Sequence, residues 1–259
     1  MSVIRHPSAD AFLIAARPLL MAAEAENNLI IGVAEGLARN PSAAKNPYLA
    51  TVGNGESPLA CAVHIPPFKL LLTRANRAPI TALAEDAFAA VPDLEGITGP
   101  ARSAADFAAA WGELSGAQPR VGMQMRIHEI RTILASQLPA PSGSIRLAGD
   151  RDRDLLTEWT EVFVADAGIP EKHDWAAIVG SGVKRGRLFV WDDAGPKSMA
   201  AWTGKTPNGV RINFVYTPLE FRGKGYATAC VSALTRLSGA PTSRLSATRD
   251  SRCCCARCA

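Results

Sequence analysis

The chain has 259 residues, of which 47% are hydrophobic and 20% are charged, enough to build one large domain or two ordinary ones. Its net charge of +4 is small and spread along the sequence, which argues against nucleic-acid binding and leaves an anionic small-molecule ligand open. No apolar run reaches the ~20 residues of a membrane span, and Asp10, Arg17 and Pro18 interrupt the one stretch that resembles a signal peptide, so the sequence predicts a cytoplasmic protein.

The first 140 residues predict a domain of helices and short antiparallel strands. Helical spacing of apolar residues covers 8–39, and the turn-like GITGP, 96–100, separates two further predicted helices. The predicted strands are YLATVG (48–53), LACAVHI (59–65), FKLLLT (68–73) and RVGMQMRIHEIRTI (120–133), and the two later helices cover about 79–91 and 101–115.

A linker is predicted at LPAPSGS, 138–144, because prolines, serines and a glycine interrupt the apolar pattern. After it the pattern begins again with helices, strands and a helix. The predicted helices are 153–168, 173–183 and a last one ending near Leu237, and the predicted strands are GRLFVWDD (186–193), KSMAAWTG (197–204) and VRINFVYT (210–217). This order predicts two α+β domains of similar plan, 1–140 and 144–259.

A glycine motif, PLEFRGKGYA, stands at 218–227 between the last predicted strand and the last helix. It is not a Walker loop, because Gly225 rather than Ser or Thr follows Lys224. It is not a dinucleotide-binding fingerprint, because Thr228 replaces the third glycine. Too little chain follows it for the catalytic segments of a protein kinase.

The motif does fit a pyrophosphate-binding turn at a helix N-terminus. Gly223 and Gly225 permit backbone angles and close approach that side chains forbid. The N–H groups of 223–228 would converge where a helix has unpaired donors and partial positive charge. Arg222 and Lys224 would add formal charge at the rim. The simpler alternative is a tight turn between strand and helix, which the ordered strand, proline and basic residues make the weaker interpretation.

The stretch Arg222-Gly223-Lys224-Gly225-Tyr226-Ala227 resembles the acetyl-CoA signature of the GNAT N-acetyltransferase superfamily. The whole chain is similar to bacterial tandem GNAT proteins, with no equivalent signature in 1–140. The resemblance implies two GNAT-like domains, each a mixed, mostly antiparallel sheet flanked by helices, the first of them degenerate.

The same resemblance implies residue roles. Backbone groups of Val215 and Thr217, with Tyr216 between them, would pair with the pantetheine arm, and the amides from Arg222 to Thr228 would hold the pyrophosphate. The protein would then transfer an acetyl group from acetyl-CoA to the amine of a small molecule or peptide, with no metal. It implies no particular general base.

The tail SGAPTSRLSATRDSRCCCARCA, 238–259, departs from the family pattern. The family continues with a strand, a helix and a hairpin that carries a tyrosine acid, whereas here RLSAT, 244–248, predicts at most a short strand. We expect the second domain to lack this distal segment, and we hypothesise that the reading frame was lost near Ser238. The alternative function is therefore a non-catalytic acyl-CoA-binding or interaction protein. Cys255 and Cys258 form only half of a zinc motif.

Other residues have weaker claims to a role. Asn213 and Glu220 flank the strand end near the expected thioester, where either orients a water or is structural. His173 is predicted to be an exposed loop or cap residue. Asp192-Asp193 is predicted to form an ordinary turn. Cys61 and Cys230 lie in apolar contexts and are predicted to be buried.

Overall fold

The computed structural model describes residues 1–55, 57–131, 141–168, 173–237, 242–247 and 256–257. The chain divides into two compact units, 1–126 with 250–259 and 127–249. Both units contain helices and one sheet, so the predicted α+β class is confirmed.

The first unit contains four helices and six strands from its own part of the chain. They are β1 (Ser2–Arg5), α1 (Ala9–Ala22), α2 (Asn28–Arg39), β2 (Tyr48–Gly53), β3 (Pro58–His64), β4 (Leu70–Leu72), α3 (Arg77–Ala90), β5 (Gly96–Thr98), α4 (Ala101–Ser115) and β6 (Arg120–Val121).

The rest of the described chain contains three helices and seven strands. They are β7 (Arg126–Ile130), β8 (Ser144–Leu147), α5 (Arg153–Asp166), α6 (Trp175–Lys184), β9 (Leu188–Asp192), β10 (Pro196–Thr206), β11 (Gly209–Tyr216), α7 (Tyr226–Leu237), β12 (Thr242–Ala247) and β13 (Ala256–Arg257).

The two sheets repeat one connectivity. The first has the order β1-β2-β3-β4-β5-β13-β6, and the second has the order β7-β12-β11-β10-β9-β8. In the first, β1 to β4 are antiparallel neighbours and β5 joins β4 in parallel after α3. In the second, β8 to β11 are antiparallel neighbours and β12 joins β11 in parallel after α7. A helix supplies the long crossover that each parallel pair needs.

Helices cover both faces of each sheet. In β2 and β3, successive residues alternate between a core beneath α3 and α4 and a core beneath α1 and α2. In β9, Leu188 and Val190 join a core that includes α5 and α6, while Phe189 and Trp191 join one that includes α7. This two-residue alternation is the ordinary geometry of a strand buried on both faces.

Several boundaries differ from the sequence prediction. The helix predicted over 8–39 is two helices. In the corner between them, the side-chain Nδ2 of Asn27 donates to Leu20 O at 3.2 Å. The segment GITGP is not only a turn, because β5 pairs there with β4. The short, largely exposed strands β1 and β8 were missed because they lack an apolar alternation.

Two other predictions meet the limits of the described residues. The strand predicted over 120–133 is two strands, β6 and β7, as far as residue 131. Residues 138–140 of the predicted linker lie outside the described part of the chain, so the domain boundary stays a prediction. RLSAT contributes to β12, as expected of a short strand, and most of the remaining tail, with all four of its cysteines, lies outside the described residues.

Candidate functional site

The glycine motif forms the connection between β11 and α7. Pro218 follows the strand, a single 3-10 turn spans Leu219–Phe221, and α7 begins at Tyr226. Gly223 and Gly225 have φ angles of +79° and +85°, which residues with a side chain adopt only with strain. Ala229 N donates to Gly225 O at 2.9 Å, so Gly225 is the first residue to accept a helical hydrogen bond.

The backbone donors of this loop are available to a ligand. Arg222 N donates to Leu219 O at 3.2 Å, but within the described residues the amides of 223–228 donate to no protein acceptor. Among the described residues, no atom lies within 4 Å of where a Cβ of Gly223 would be, and Pro141 Cδ, at 3.7 Å, is the one atom within that distance at Gly225. The loop therefore presents a row of unpaired donors at a helix N-terminus, which attracts anions. We call this row, residues 223–228, the amide cradle.

Arg222 braces the loop from outside the amide cradle. Its Nε donates to Thr217 O at 2.9 Å, and its Nη2 lies 3.0 Å from Asp166 Oδ2 on α5. Its guanidinium also lies 5.7 Å from the centroid of the Tyr216 ring. The positive charge that the sequence placed at the rim is thus already paired with a carboxylate.

Lys224 and Lys197 add further positive charge beside the loop, and Lys197 also helps to lower the pKa of Asp193. Their ammonium groups lie 5.8 Å and 4.4 Å from the centroid of the Phe221 ring. Lys197 lies on β10, 25 residues before Arg222, and sequence reasoning did not select it. No local pattern marks it, because only the pairing of β10 with β11 brings it to the loop.

The predicted Asp192-Asp193 turn is confirmed, and it contacts the start of α7. Asp193 N donates to Gly195 O at 3.0 Å within the turn. Tyr226 OH donates to Asp193 Oδ2 at 2.6 Å, and Ser142 OH donates to the same oxygen at 2.7 Å. These two hydroxyl donors, that of Tyr226 first, lower the pKa of the exposed Asp193 carboxyl. The turn therefore fixes the ring of Tyr226.

A β-bulge lies in β11 just before the loop. The register steps from Met199↔Tyr216 to Ala201↔Asn213, so β11 has one residue more than β10 across this step. Phe214, at this step, has a φ of +50°, an angle that is a genuine outlier for a bulky residue.

The bulge coincides with an opening in the sheet. The described ladder between β11 and β12 ends at Ile212↔Leu245, so residues 213–216 have no described partner on that edge. Backbone groups there are available to an added strand.

The residues proposed for the pantetheine arm offer backbone rather than side chains. Tyr216 is buried, with its ring 6.0 Å from that of Trp159. Thr217 is also buried, and its hydroxyl donates to Ser198 Oγ at 2.9 Å. Val215 packs partly against the core beside α7.

Asn213 is the most informative of the weaker candidates. Its Oδ1 is buried and accepts no hydrogen bond from the described residues, beside the opening of the sheet. A buried acceptor without a donor is costly, which points to a ligand or water as its partner. His173 and Glu220 are exposed, as predicted for a loop position in the case of His173. Cys61 and Cys230 are buried as predicted, and burial raises the pKa of each thiol to about 12.

The corresponding loop of the first unit has a different construction. Between β4 and α3 it reads Thr-Arg-Ala-Asn and contains no glycine. Ala75 N donates to Ser103 Oγ at 3.1 Å, and Pro79 in the first turn of α3 has no N–H. The side chain of Arg74 pairs with Glu26 at 2.7 Å. This loop does not reproduce the amide cradle.

Comparison with solved structures identifies the architecture. A GNAT-family acetyltransferase from Colwellia psychrerythraea superposes with a TM-score of 0.53 over 100% of both chains, at 13% identity. A GCN5-related N-acetyltransferase from Sphaerobacter thermophilus superposes with a TM-score of 0.56 over 98% of this chain and 95% of its own, at 18% identity. A tandem GNAT protein from the clavulanic acid biosynthesis pathway gives 0.52 over 97% and 91%, at 15% identity.

The chain has the GNAT fold. The fold assignment made from the Arg-Gly-Lys-Gly-Tyr-Ala motif is therefore confirmed. No sequence profile of a protein family and no curated protein matches the chain. Within the described residues, no helix is both long and apolar enough to cross a membrane, and no group of three His, Cys, Asp or Glu residues is arranged to hold a metal ion.

Proposed function

We propose that this GNAT-fold protein is an acyltransferase that takes an acetyl group from acetyl-CoA and transfers it to the amine of a small molecule or peptide. The observation that supports the proposal most is the amide cradle, whose donors at 223–228 have no protein acceptor in the described chain. A CoA pyrophosphate is the type of anion that such a helix N-terminus favours.

We further propose that residues 1–140 and 144–259 are tandem GNAT domains, of which only the second holds acetyl-CoA. The shared strand order and the shared parallel pair support a duplication. The glycine-free loop before α3 supports the loss of the cofactor site from the first domain. A cytoplasmic location stays a prediction.

The residues around the amide cradle have distinct roles in this proposal. The amides of Gly223 to Thr228 bind the pyrophosphate, and Lys197 and Lys224 add long-range attraction. Backbone groups of Val215 and Thr217 pair with the pantetheine arm along the open edge of β11. Asn213 Oδ1 accepts a hydrogen bond from the arm or from a water beside it.

Acetyl-CoA supplies an activated acyl group as a thioester. The acceptor nitrogen forms a bond to the acyl carbon, the carbon–sulfur bond breaks, and the nitrogen's proton leaves through solvent while the thiolate is protonated. The chain contributes by holding both reactants in register, and such positioning provides much of the rate in transfer reactions. No described side chain is assigned as general acid or base.

Titration calorimetry with acetyl-CoA tests the proposal. Gly225→Glu should reduce the affinity at least about tenfold, because a carboxylate at the amide cradle repels the pyrophosphate. Gly116→Glu is the matched control, since Gly116 also has a positive φ, +74°, with open space around it, and lies in the first unit. Equal loss in both variants, or none in Gly225→Glu, contradicts the proposed cofactor site.

Turnover separates the proposed enzyme from a non-catalytic acyl-CoA-binding protein. Release of free thiol from acetyl-CoA in the presence of an amine panel is expected of the enzyme. Binding without any amine-dependent thiol release supports the binding protein instead.

A further inference from the structure

The second unit contains a cavity outside the amide cradle, on the face of the sheet covered by α5 and α6. Its volume is about 350 Å³, within the ~300–1,000 Å³ typical of ligand pockets. Most of its wall is apolar, with Ile178 and Val179 from α6, Leu188 from β9, and Ala201 and Trp202 from β10.

The cavity reaches the bulge of β11. Phe214, the residue with positive φ, forms part of the wall. The neighbouring Val215 is the first residue of the backbone stretch proposed to hold the pantetheine arm. A molecule in the cavity therefore contacts the residue of β11 that directly precedes that stretch.

The polar groups of the cavity are two arginines and the hydroxyls of Thr160, Ser181 and Thr203. Arg185 and Arg187 both line it, and both side chains are exposed. Neither makes an ion pair with a described residue. The indole of Trp202 packs on the opposite face of the sheet, with its ring centroid 4.7 Å from that of Phe189.

A second depression adjoins the first and is strongly basic. It is lined by Arg153, Lys184 and Arg185, with only small residues of α6 between them. Arg185 lines both cavities and so stands where they meet. The Arg153 guanidinium lies against Gly180, where any Cβ would contact it, and pairs loosely with the exposed Asp150 at 3.7 Å.

The two cavities share a charge pattern. Four cationic residues line them, and no acidic side chain does among the described residues. The dipole of α6 stabilises cations near its C-terminus, which accounts for Lys184 and Arg185. It does not account for Arg153 at the start of α5 or for Arg187 just before β9. An apolar pocket next to a cationic rim complements a molecule with an apolar body and an anionic end.

We infer that this pair of cavities binds the acyl acceptor and that the acceptor is an amine with an apolar body and a carboxylate, held by Arg185. That the ligand is an acyl acceptor rests on the proposed function. That the two cavities bind a carboxylate rests only on the residues that line them. Guanidinium groups bind carboxylates through paired, charge-assisted hydrogen bonds, which also set orientation. The cationic rim then excludes acceptors whose far end is positively charged.

A binding experiment without turnover tests the site. The probes are 4-phenylbutyrate and its neutral isostere 4-phenylbutyramide, titrated into the full chain by calorimetry. The wild type should prefer the carboxylate by about tenfold or more, the size expected of a hydrogen bond between charged groups. Arg185→Gln should abolish the preference. Arg236→Gln, which changes an exposed arginine of α7 outside both cavities, should keep it.

The outcomes separate this inference from the proposed function. Equal affinity for the two probes, binding of neither, or the same change in both variants overturns the inference. Acetyl-CoA binding in the same samples without a carboxylate preference overturns the inference alone. A carboxylate preference without acetyl-CoA binding overturns the proposed function alone.

An activity arm then tests the acceptor role. Phenylalanine and phenylalaninamide are compared as acceptors at fixed acetyl-CoA, and Arg185→Gln should raise KM for the acid far more than for the amide. A preference for the amide in the wild type contradicts the role.

Discussion

Replacing Arg146 with methionine should destabilise the second unit selectively. The Arg146 guanidinium binds Asp152 through two hydrogen bonds of 2.7 and 2.9 Å and Asp192 through a third of 2.7 Å. It thereby ties β8 to the start of α5 and to the turn that contacts Tyr226. The Asp152 side chain is 5% exposed and that of Arg146 is 25% exposed, so the carboxylate of this pair is buried while the guanidinium is partly exposed.

The magnitude follows from what the substitution leaves behind. Methionine keeps much of the packing of the arginine's methylene groups but leaves the Asp152 carboxylate buried, with Gly149 N as its one remaining donor among the described residues. Removing one member of a buried ion pair costs about 3–5 kcal/mol, whereas the more exposed bond to Asp192 contributes ~0–1 kcal/mol. We expect a loss of about 3–5 kcal/mol in the free energy of unfolding of this unit at pH 7.

The loss should depend on pH in a defined direction. In the wild type, the hydrogen bonds from Arg146 lower the pKa of Asp152 against the opposing effect of burial. Its stabilisation is therefore complete above the unfolded pKa of ~3.9 and is lost as pH falls through the lower folded value. In Arg146→Met, the hydrogen bonds from Arg146 no longer offset the effect of burial, so the pKa of Asp152 rises. The difference in free energy of unfolding between wild type and Arg146→Met should be largest near pH 7 and should shrink towards pH 3.

Fluorine NMR of 5-fluorotryptophan-labelled protein during urea unfolding measures each unit separately. Trp191 and Trp159 report the second unit, and Trp111 reports the first as an internal control. Arg39→Met removes an exposed ion pair and should shift every transition by less than about 1 kcal/mol. An unchanged Trp191 transition in Arg146→Met, or a gap that widens on acidification, refutes this account of the network.

Two other predictions test the site and the domain boundary. Asn213→Leu removes a buried acceptor without a described partner, so the free energy of unfolding should stay equal or rise by up to ~1–3 kcal/mol while acetyl-CoA affinity or thiol release falls; a marked loss of stability with unchanged activity contradicts a ligand-binding role. Limited proteolysis should cut within 138–144 and leave two fragments, as expected of an exposed linker; cleavage inside either half, with this segment resistant, contradicts the boundary.

The site illustrates which features are local in the chain. Gly223 and Gly225, the following helix and the proline before them lie within a dozen residues, so their backbone chemistry was legible without any tertiary information. The same holds for the strands β2, β3, β9, β10 and β11 and for helices α3 to α7, whose apolar periodicity matches the layers they join.

What tertiary structure decided involves residues that are distant in sequence. The bulge at Phe214 exists only in register with β10, and the open edge after Ile212 only in register with β12. The cavity near Arg185 forms only where α6 comes together with β9 and β10. Lys197 lies near the loop only because β10 pairs with β11. Arg222 forms its ion pair only because α5 brings Asp166 to it. Sequence alone determined the amide cradle because backbone angles and helix ends are local properties. Sheet edges, cavities and charge partners depend instead on which segments of the chain come into contact.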